Sequence, residues 1–168
     1  MDVLQAIRDR RSIRRYQARI LTDDKLTQVL EAGRWAPSAG NRQPWRFIVA
    51  RDAGVRNRLA GVAPFGRFMA EAPAVIAVVI DPQGSNHPVE DGAAATQNML
   101  LAAHALGLGA CWIGSYGSAY EESAKEILGI PHSMRLLSLI SLGYPAESPQ
   151  KDRMELSKLV SYDRYQAV

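Results

Sequence analysis

The run from Arg10 to Arg19, "RRSIRRYQAR", places five of the chain's twenty basic residues within ten positions. Guanidinium groups at that density have three uses. They form a solvated helix end, where cations suit the negative pole of the helix. They contact nucleic-acid phosphates. Or they close around one small multiply charged anion, because the planar fork donates paired hydrogen bonds to phosphate oxygens. Taken alone, the run favours the solvated end. The net charge of only +3 makes the basic excess local, and this argues for a basic site more than for a basic protein.

The rest of the chain is poor in catalytic signatures. There is no G-x-S-x-G elbow, no P-loop and no G-x-G-x-x-G; "GLGACW" loses the glycine spacing after Gly109. Acidic residues sit mostly on helix surfaces, and no carboxylate pair stands out for proton transfer. A single cysteine, Cys111, forms no internal disulfide and reads as a small buried side chain. His87, His104 and His132 lack zinc-ligand spacing, so no metal is expected. A chain so equipped can borrow its chemistry from a cofactor.

The elements that must position these residues follow from capping and periodicity. Asp2 caps a first helix running to about Asp9, with Gln5 placed for a reciprocal bond and Leu4 and Ile7 as its apolar side. Thr22 caps a second helix, with Leu26, Val29 and Leu30 at helical spacing and Pro37 as its stop. The polar "SAGNRQP" leads into a strand from Trp45. "APAVIAVVID" is a strand apolar on both faces, hence central in a sheet. A long helix over 89–109 is apolar on most faces and predicts a subunit interface on one side. "ACWIGS" is a strand or turn edge. "AYEESAKEILG" is a short amphipathic helix ending at Gly129, and "RLLSLISLGYP" is a further strand. In the polar tail, Leu156, Leu159, Val160, Tyr162 and Tyr165 would be wasted on solvent and read as an arm that packs on something.

A length of 168 residues, with 47% hydrophobic and 22% charged, fits one compact domain. Such a chain buries roughly 70% of its unfolded surface and needs no disulfide or metal for a core. No apolar run is long enough for a secretory signal or a membrane span, so the expected compartment is the cytoplasm, with no membrane partner.

Several of these pieces together resemble the nitroreductase family of FMN-dependent oxidoreductases. Arg10-Arg11-Ser12-Ile13-Arg14 with Tyr16 is similar to its N-terminal signature. Pro37-Ser38-Ala39-Gly40-Asn41-Arg42-Gln43-Pro44-Trp45 resembles its second motif. Residues 107–114 resemble its third, and Leu142-Gly143-Tyr144-Pro145 with Lys151 and Arg153 its C-terminal elements. The motifs occur in family order over nearly the whole chain. The resemblance implies an α+β fold, a three-layer-like sandwich with a central, mostly antiparallel sheet flanked by helices, in a homodimer with FMN at the interface. It implies one domain over 1–168, with 146–168 as an arm packing on the partner subunit. It assigns Arg10, Arg11, Ser12, Arg14, Lys151 and Arg153 to the phosphate and ribityl chain. Pro37, Ser38 and Asn41 would line the flavin from the partner. Trp112, Ile113, Gly114 and Ser115 would run past the ring, with backbone N–H groups near Gly114 and Ser115 approaching flavin N5 and O4. Arg15 and Arg19 are left as surface charge.

The activity so implied passes hydride from NADH or NADPH, via flavin N5, to a small electron-poor acceptor such as a nitroaromatic or quinone, in two alternating steps. No side chain need be catalytic. Two departures bear on the acceptor. Longer family members place a lysine near the flavin in the segment that here reads "PFGRFMAEAP", whose only cation, Arg67, is either its replacement or an exposed charge. The chain also lacks room for the helical cover of larger relatives, leaving Phe65 and Phe68 as a small lid over the substrate pocket or as core. Flavin storage or sensing with little turnover, flavin degradation, reductive dehalogenation and semialdehyde reduction share these motifs. Nucleic-acid binding ranks below all of them, since no recognition fold is evident.

Overall fold

The strand predicted to be central is the molecule's axis. In the computed structural model, which describes residues 2–166, β2 (Ala74–Ile80) is buried at every position. Its two faces serve two cores. Ala74, Ile76, Val78 and Ile80 face one cluster, and Val75, Ala77 and Val79 the other. This is the strict alternation of a pleated strand covered on both sides. Each buried valine or isoleucine contributes about 1.5–3 kcal/mol.

β1 (Trp45–Ala50) and β4 (Arg135–Gly143) flank β2, and β3 (Gly109–Gly114) forms the far edge, giving the order β1-β2-β4-β3 with every pairing antiparallel. The register of β4 slips opposite Val78 and Val79, so Leu137 has no partner in β2. Helices α2 (Asp23–Arg34) and α4 (Pro88–Ala105) cover one face through Leu26, Val29, Met99, Leu100 and Ala103. Helices α3 (Ala53–Val62) and α5 (Glu121–Leu128) cover the other through Leu59, Ala60 and Ala124. The α+β sandwich expected from the sequence is therefore present, with all three layers.

Three local readings need correction. Helix α1 (Val3–Asp9) is capped by Asp2, whose carboxylate accepts from the Leu4 and Gln5 amides, but Gln5 donates to Asp9 and not back to the cap. The expected apolar side of α1 finds no core: Leu4 and Ile7, with Val3, are 54–66% exposed. Helix α3 was not read from the sequence at all. It carries Gly54 and Gly61 and buries only Leu59 and Ala60, so its apolar period is faint.

The edge of β3 is not bare. Ser12 bridges Ala110 in parallel, and the Ile13 amide donates to the Ala110 carbonyl at 3.0 Å. Gly109 makes this approach feasible, because a Cβ there would lie 2.7 Å from Ile13. The chain then zips onto the segment after β4. Gln17 donates to the Tyr144 carbonyl and Ala146 to the Arg15 carbonyl, both at 2.9 Å. The Tyr16 hydroxyl, buried at this junction, lies 2.6 Å from both the Ile13 carbonyl and the Ser141 hydroxyl. Residues 146–166 hold only one short 3-10 turn, Leu156–Lys158, and Met154, Leu156, Leu159, Tyr162 and Tyr165 are exposed. Met1, Ala167 and Val168, the outer limits of the expected domain and arm, lie outside the described residues.

Candidate functional site

The segment Arg10–Arg14 reaches the site as a rib along the edge of β3, so alternate side chains take opposite sides. Arg14, Ser12 and Arg10 surround Cys111 on β3. Burial pushes the Cys111 thiol up from its ordinary value, and those three neighbours pull the other way. Arg11 lines the same hollow as Arg10. Its guanidinium turns back onto the end of α1, donating to the carbonyls of Arg8 and Arg10, and its Nε is buried without a partner. Arg11, expected from the sequence to hold an anion, thus has its guanidinium engaged at the end of α1 in this structure.

Arg153 approaches from the opposite end of the sequence. Arg10 is held below its ordinary pKa by burial first, then by the Arg153 and Arg11 charges. The Arg153 guanidinium donates to the Asp152 carbonyl at 3.1 Å, and Lys151 beside it is exposed. Among the described residues, none of Arg10, Arg14, Lys151 and Arg153 has a carboxylate within 4.0 Å. The nearby Glu147 carboxylate is occupied by the backbone amides of Arg14 and Arg15.

Two hollows flank the rib. One, of about 420 Å³, opens between the end of α1, α4 and the tail, and includes Arg10, Arg11, His104 and residues 147–150. The other, of about 320 Å³, is lined by Arg14, Phe65, Phe68, Tyr120 and Cys111–Gly114. The Arg14 guanidinium carbon lies 5.8 Å from the Phe68 ring centroid. Phe65 is 91% exposed at the rim. Arg67 is exposed and lines neither hollow.

The wall after β3 is rigidly held. Ser115 is fully buried, and its amide donates to the carbonyl of the unpaired Leu137, as does that of Tyr116. The Ser115 amide is therefore not free to approach a ligand, contrary to the sequence reading, whereas Gly114 is exposed at the hollow. Tyr120 donates to the Gly114 carbonyl at 2.5 Å and pairs with the Ser115 hydroxyl at 3.2 Å. Glu121, only 4% exposed, receives two bonds from Arg135 and one each from the Gly117 and Leu136 amides. Sequence reasoning missed Tyr120 and Glu121 as parts of this wall. Their one signal is position: they sit at the end of the turn that follows the glycine-rich strand.

Pro37, Ser38 and Asn41 lie elsewhere. Their loop packs against the first turn of α4, where Asp91 accepts from the Ala39 amide at 2.9 Å. Ser38 accepts from the Gln43 amide at 3.0 Å. Gly40, Asn41 and Gln43 all have φ between 52° and 57°, the left-handed region that only the glycine enters freely. Asp91 and His104 mark opposite ends of α4, about 20 Å apart at 1.5 Å per residue. The structure does not bring this loop to the rib of the same chain.

The chain matches the nitroreductase family over residues 7–64 and 62–144. It is 41% identical to a protein of Archaeoglobus fulgidus named "Putative NADH dehydrogenase/NAD(P)H nitroreductase", covering 97% of this chain and 95% of the relative. It resembles the solved structure of an FMN-dependent nitroreductase from Clostridium difficile R20291, with a TM-score of 0.89, 29% identity, and coverage of 96% and 99% of the two chains. A crystal structure described as "a putative nitroreductase in complex with FMN", from Desulfovibrio desulfuricans, is similar with a TM-score of 0.85, 36% identity, and coverage of 99% of each chain.

Proposed function

The chain belongs to the nitroreductase family, and on that premise we propose that it is an FMN-dependent NAD(P)H oxidoreductase whose flavin lies between two copies of the chain. The observation that carries this reading is the approach of Arg153 to Arg10. The Arg153 charge, from the opposite end of the sequence, acts on the half-buried Arg10, and among the described residues neither guanidinium is ion-paired. A bound dianion relieves both.

The donor set suits FMN. Arg10, Arg153 and Lys151 offer cations for a phosphate, and Ser12 offers a hydroxyl for the ribityl chain. Arg14, four residues further along the rib and so about 13 Å from Arg10, borders the smaller hollow. That hollow falls within the usual size of ligand pockets, roughly 300–1,000 Å³. Its walls are Trp112, Ile113 and Gly114, with Phe65 and Phe68 across the opening.

The ring site is incomplete in one chain, because Pro37, Ser38 and Asn41 sit at the far end of α4. A second copy supplies them if two α4 helices pack antiparallel about a two-fold axis. On α4, Gln97, Leu101 and Ala102 are half-buried and lie outside the core clusters. The same pairing offers cover for Val3, Leu4 and Ile7 of α1 and for the tail from 146 onward, which we read as an arm on the partner.

When bound, FMN accepts hydride from NADH or NADPH and passes electrons to an electron-poor acceptor. The chain's residues do the rest. The guanidinium groups fix the phosphate end and so the ring's position. Phe65, Phe68, Trp112 and Tyr120 border a slot in which planar donors and acceptors stack in turn. The Tyr120 hydroxyl is committed to Gly114 and Ser115, and burial keeps Cys111 a thiol, so neither side chain serves as a nucleophile or proton carrier. The acceptor is a small planar molecule of the nitroaromatic or quinone kind.

The absorption spectrum of the purified protein tests this. It should show bound flavin, bleached anaerobically by NADH or NADPH and restored by a quinone. Protein that is colourless, and stays so after incubation with FMN, would falsify the reading.

A further inference from the structure

Asp91 is a buried carboxylate for which the redox chemistry has no use. It lies in the first turn of α4, 5% exposed, and both its oxygens are engaged. Oδ1 accepts from the Ala39 amide at 2.9 Å, and Oδ2 accepts from the Ser85 hydroxyl at 2.5 Å. Ser85 in turn accepts from the His87 amide at 3.1 Å, so the carboxylate is braced from behind. What it grips is the start of the loop that runs through Gly40, Asn41 and Gln43, all at positive φ. Two such non-glycine residues are strained, and the conformation persists only where neighbours hold it. Apart from Asp91, the side-chain grips on this loop among the described residues come from within it, Ser38 on Gln43 and Gln43 on Asn41, and its far end is held by the Asp81 amide donating to the Pro44 carbonyl. Asp91 is the side chain that fixes the loop to the body of the fold.

We propose that Asp91 is a positioning residue for the flavin site of the neighbouring subunit, acting through the Ala39 amide on the loop that carries Pro37, Ser38 and Asn41. The inference rests on the preceding reading, in which that loop lines the partner's flavin. Its consequence is unusual for a residue about 20 Å from its own chain's arginine rib: loss of Asp91 weakens the cofactor held by the other copy.

The test measures FMN affinity by quenching of flavin fluorescence, with the assembly followed by sedimentation. Asp91→Ala should remain dimeric and bind FMN roughly tenfold more weakly, the worth of one charged hydrogen bond. Asp91→Asn keeps an acceptor for the Ala39 amide and should restore most of the affinity. Ala39→Pro removes the donor instead, at a position where a proline is tolerated because Ser38 before it is extended, and should reproduce the loss. It also serves if Asp91→Ala does not fold. The deciding sample is a mixed dimer of one Asp91→Ala chain and one Arg10→Ala chain. One of its two sites then has an intact rib facing an intact loop, and it should hold one FMN per dimer with wild-type affinity. Wild-type affinity in Asp91→Ala, or in Ala39→Pro, overturns the inference. A mixed dimer with two weak sites shows that Asp91 acts within its own chain and overturns it as well. A wild-type protein that binds no FMN, or is monomeric, sinks instead the reading on which the inference rests.

Discussion

Removing one guanidinium from the Arg10–Arg153 pair should loosen FMN by about 1.5–3 kcal/mol, the value of a hydrogen bond to a charged group. Fluorescence titration of Arg10→Ala and Arg153→Ala measures this. Arg11→Ala should leave FMN affinity nearly unchanged, because its guanidinium caps α1; equal losses at Arg10 and Arg11 would contradict the assignment. The contrast marks what residue types disclose and what they do not. The motif around Arg10 was legible, since arginine suits phosphate wherever it stands. Which guanidinium is already engaged by its own chain was not, because only the fold turns Arg11 onto the carbonyls of Arg8 and Arg10. Tyr120 was silent for a similar reason: an aromatic residue at a helix start reads as core until the fold brings it back to Gly114.

At the scale of elements, the turn from β3 into α5 depends on one carboxylate. Burial alone would raise the pKa of Glu121. The Arg135 guanidinium and the Gly117 and Leu136 amides outweigh it, and the carboxyl sits below its ordinary value. The stabilisation from such a lowered pKa is fully present above the unfolded value, about 4.3. It is lost as pH falls through the lower folded value. Glu121→Gln should cost about 3 kcal/mol at pH 7, as expected when a buried carboxylate is removed from its partners, and its penalty should shrink as the pH falls below 4. Urea unfolding at both pH values checks this; a penalty independent of pH would show that the charge does not matter. The strands and α4 were readable because their apolar period is strong and both faces of β2 are covered. Helix α3 was not, because two glycines and a nearly featureless period hide it. The apolar side of α1 was read correctly as apolar but wrongly as core, since periodicity reports a hydrophobic stripe and not what covers it.

For the whole molecule, the proposed dimer would cover the exposed apolar residues of α1 and the tail. Sedimentation should give twice the chain mass of 18.4 kDa. Deleting the residues after Pro149 removes Lys151, Arg153 and the proposed arm together. The truncated protein should release flavin on gel filtration at least tenfold more readily, by the loss of two charged contacts. Full flavin occupancy in that deletion would assign the tail no part in the site. No helix among the described residues is long and apolar enough to cross a membrane.

The sequence by itself determined the family, the α+β layering and the chemical type of each site group, because these depend on residue identity and on periods of a few positions. Only the tertiary structure decided which groups meet. It set the Arg153 charge to act on Arg10 from the other end of the chain, engaged Arg11 at the end of α1, tied the Ser115 amide to Leu137, and left Pro37, Ser38 and Asn41 at the far end of α4 from their own rib. The physical reason is that a charge or a hydrogen bond acts over a few ångströms in space, and only the packing of the strands and helices converts distance along the chain into distance between atoms.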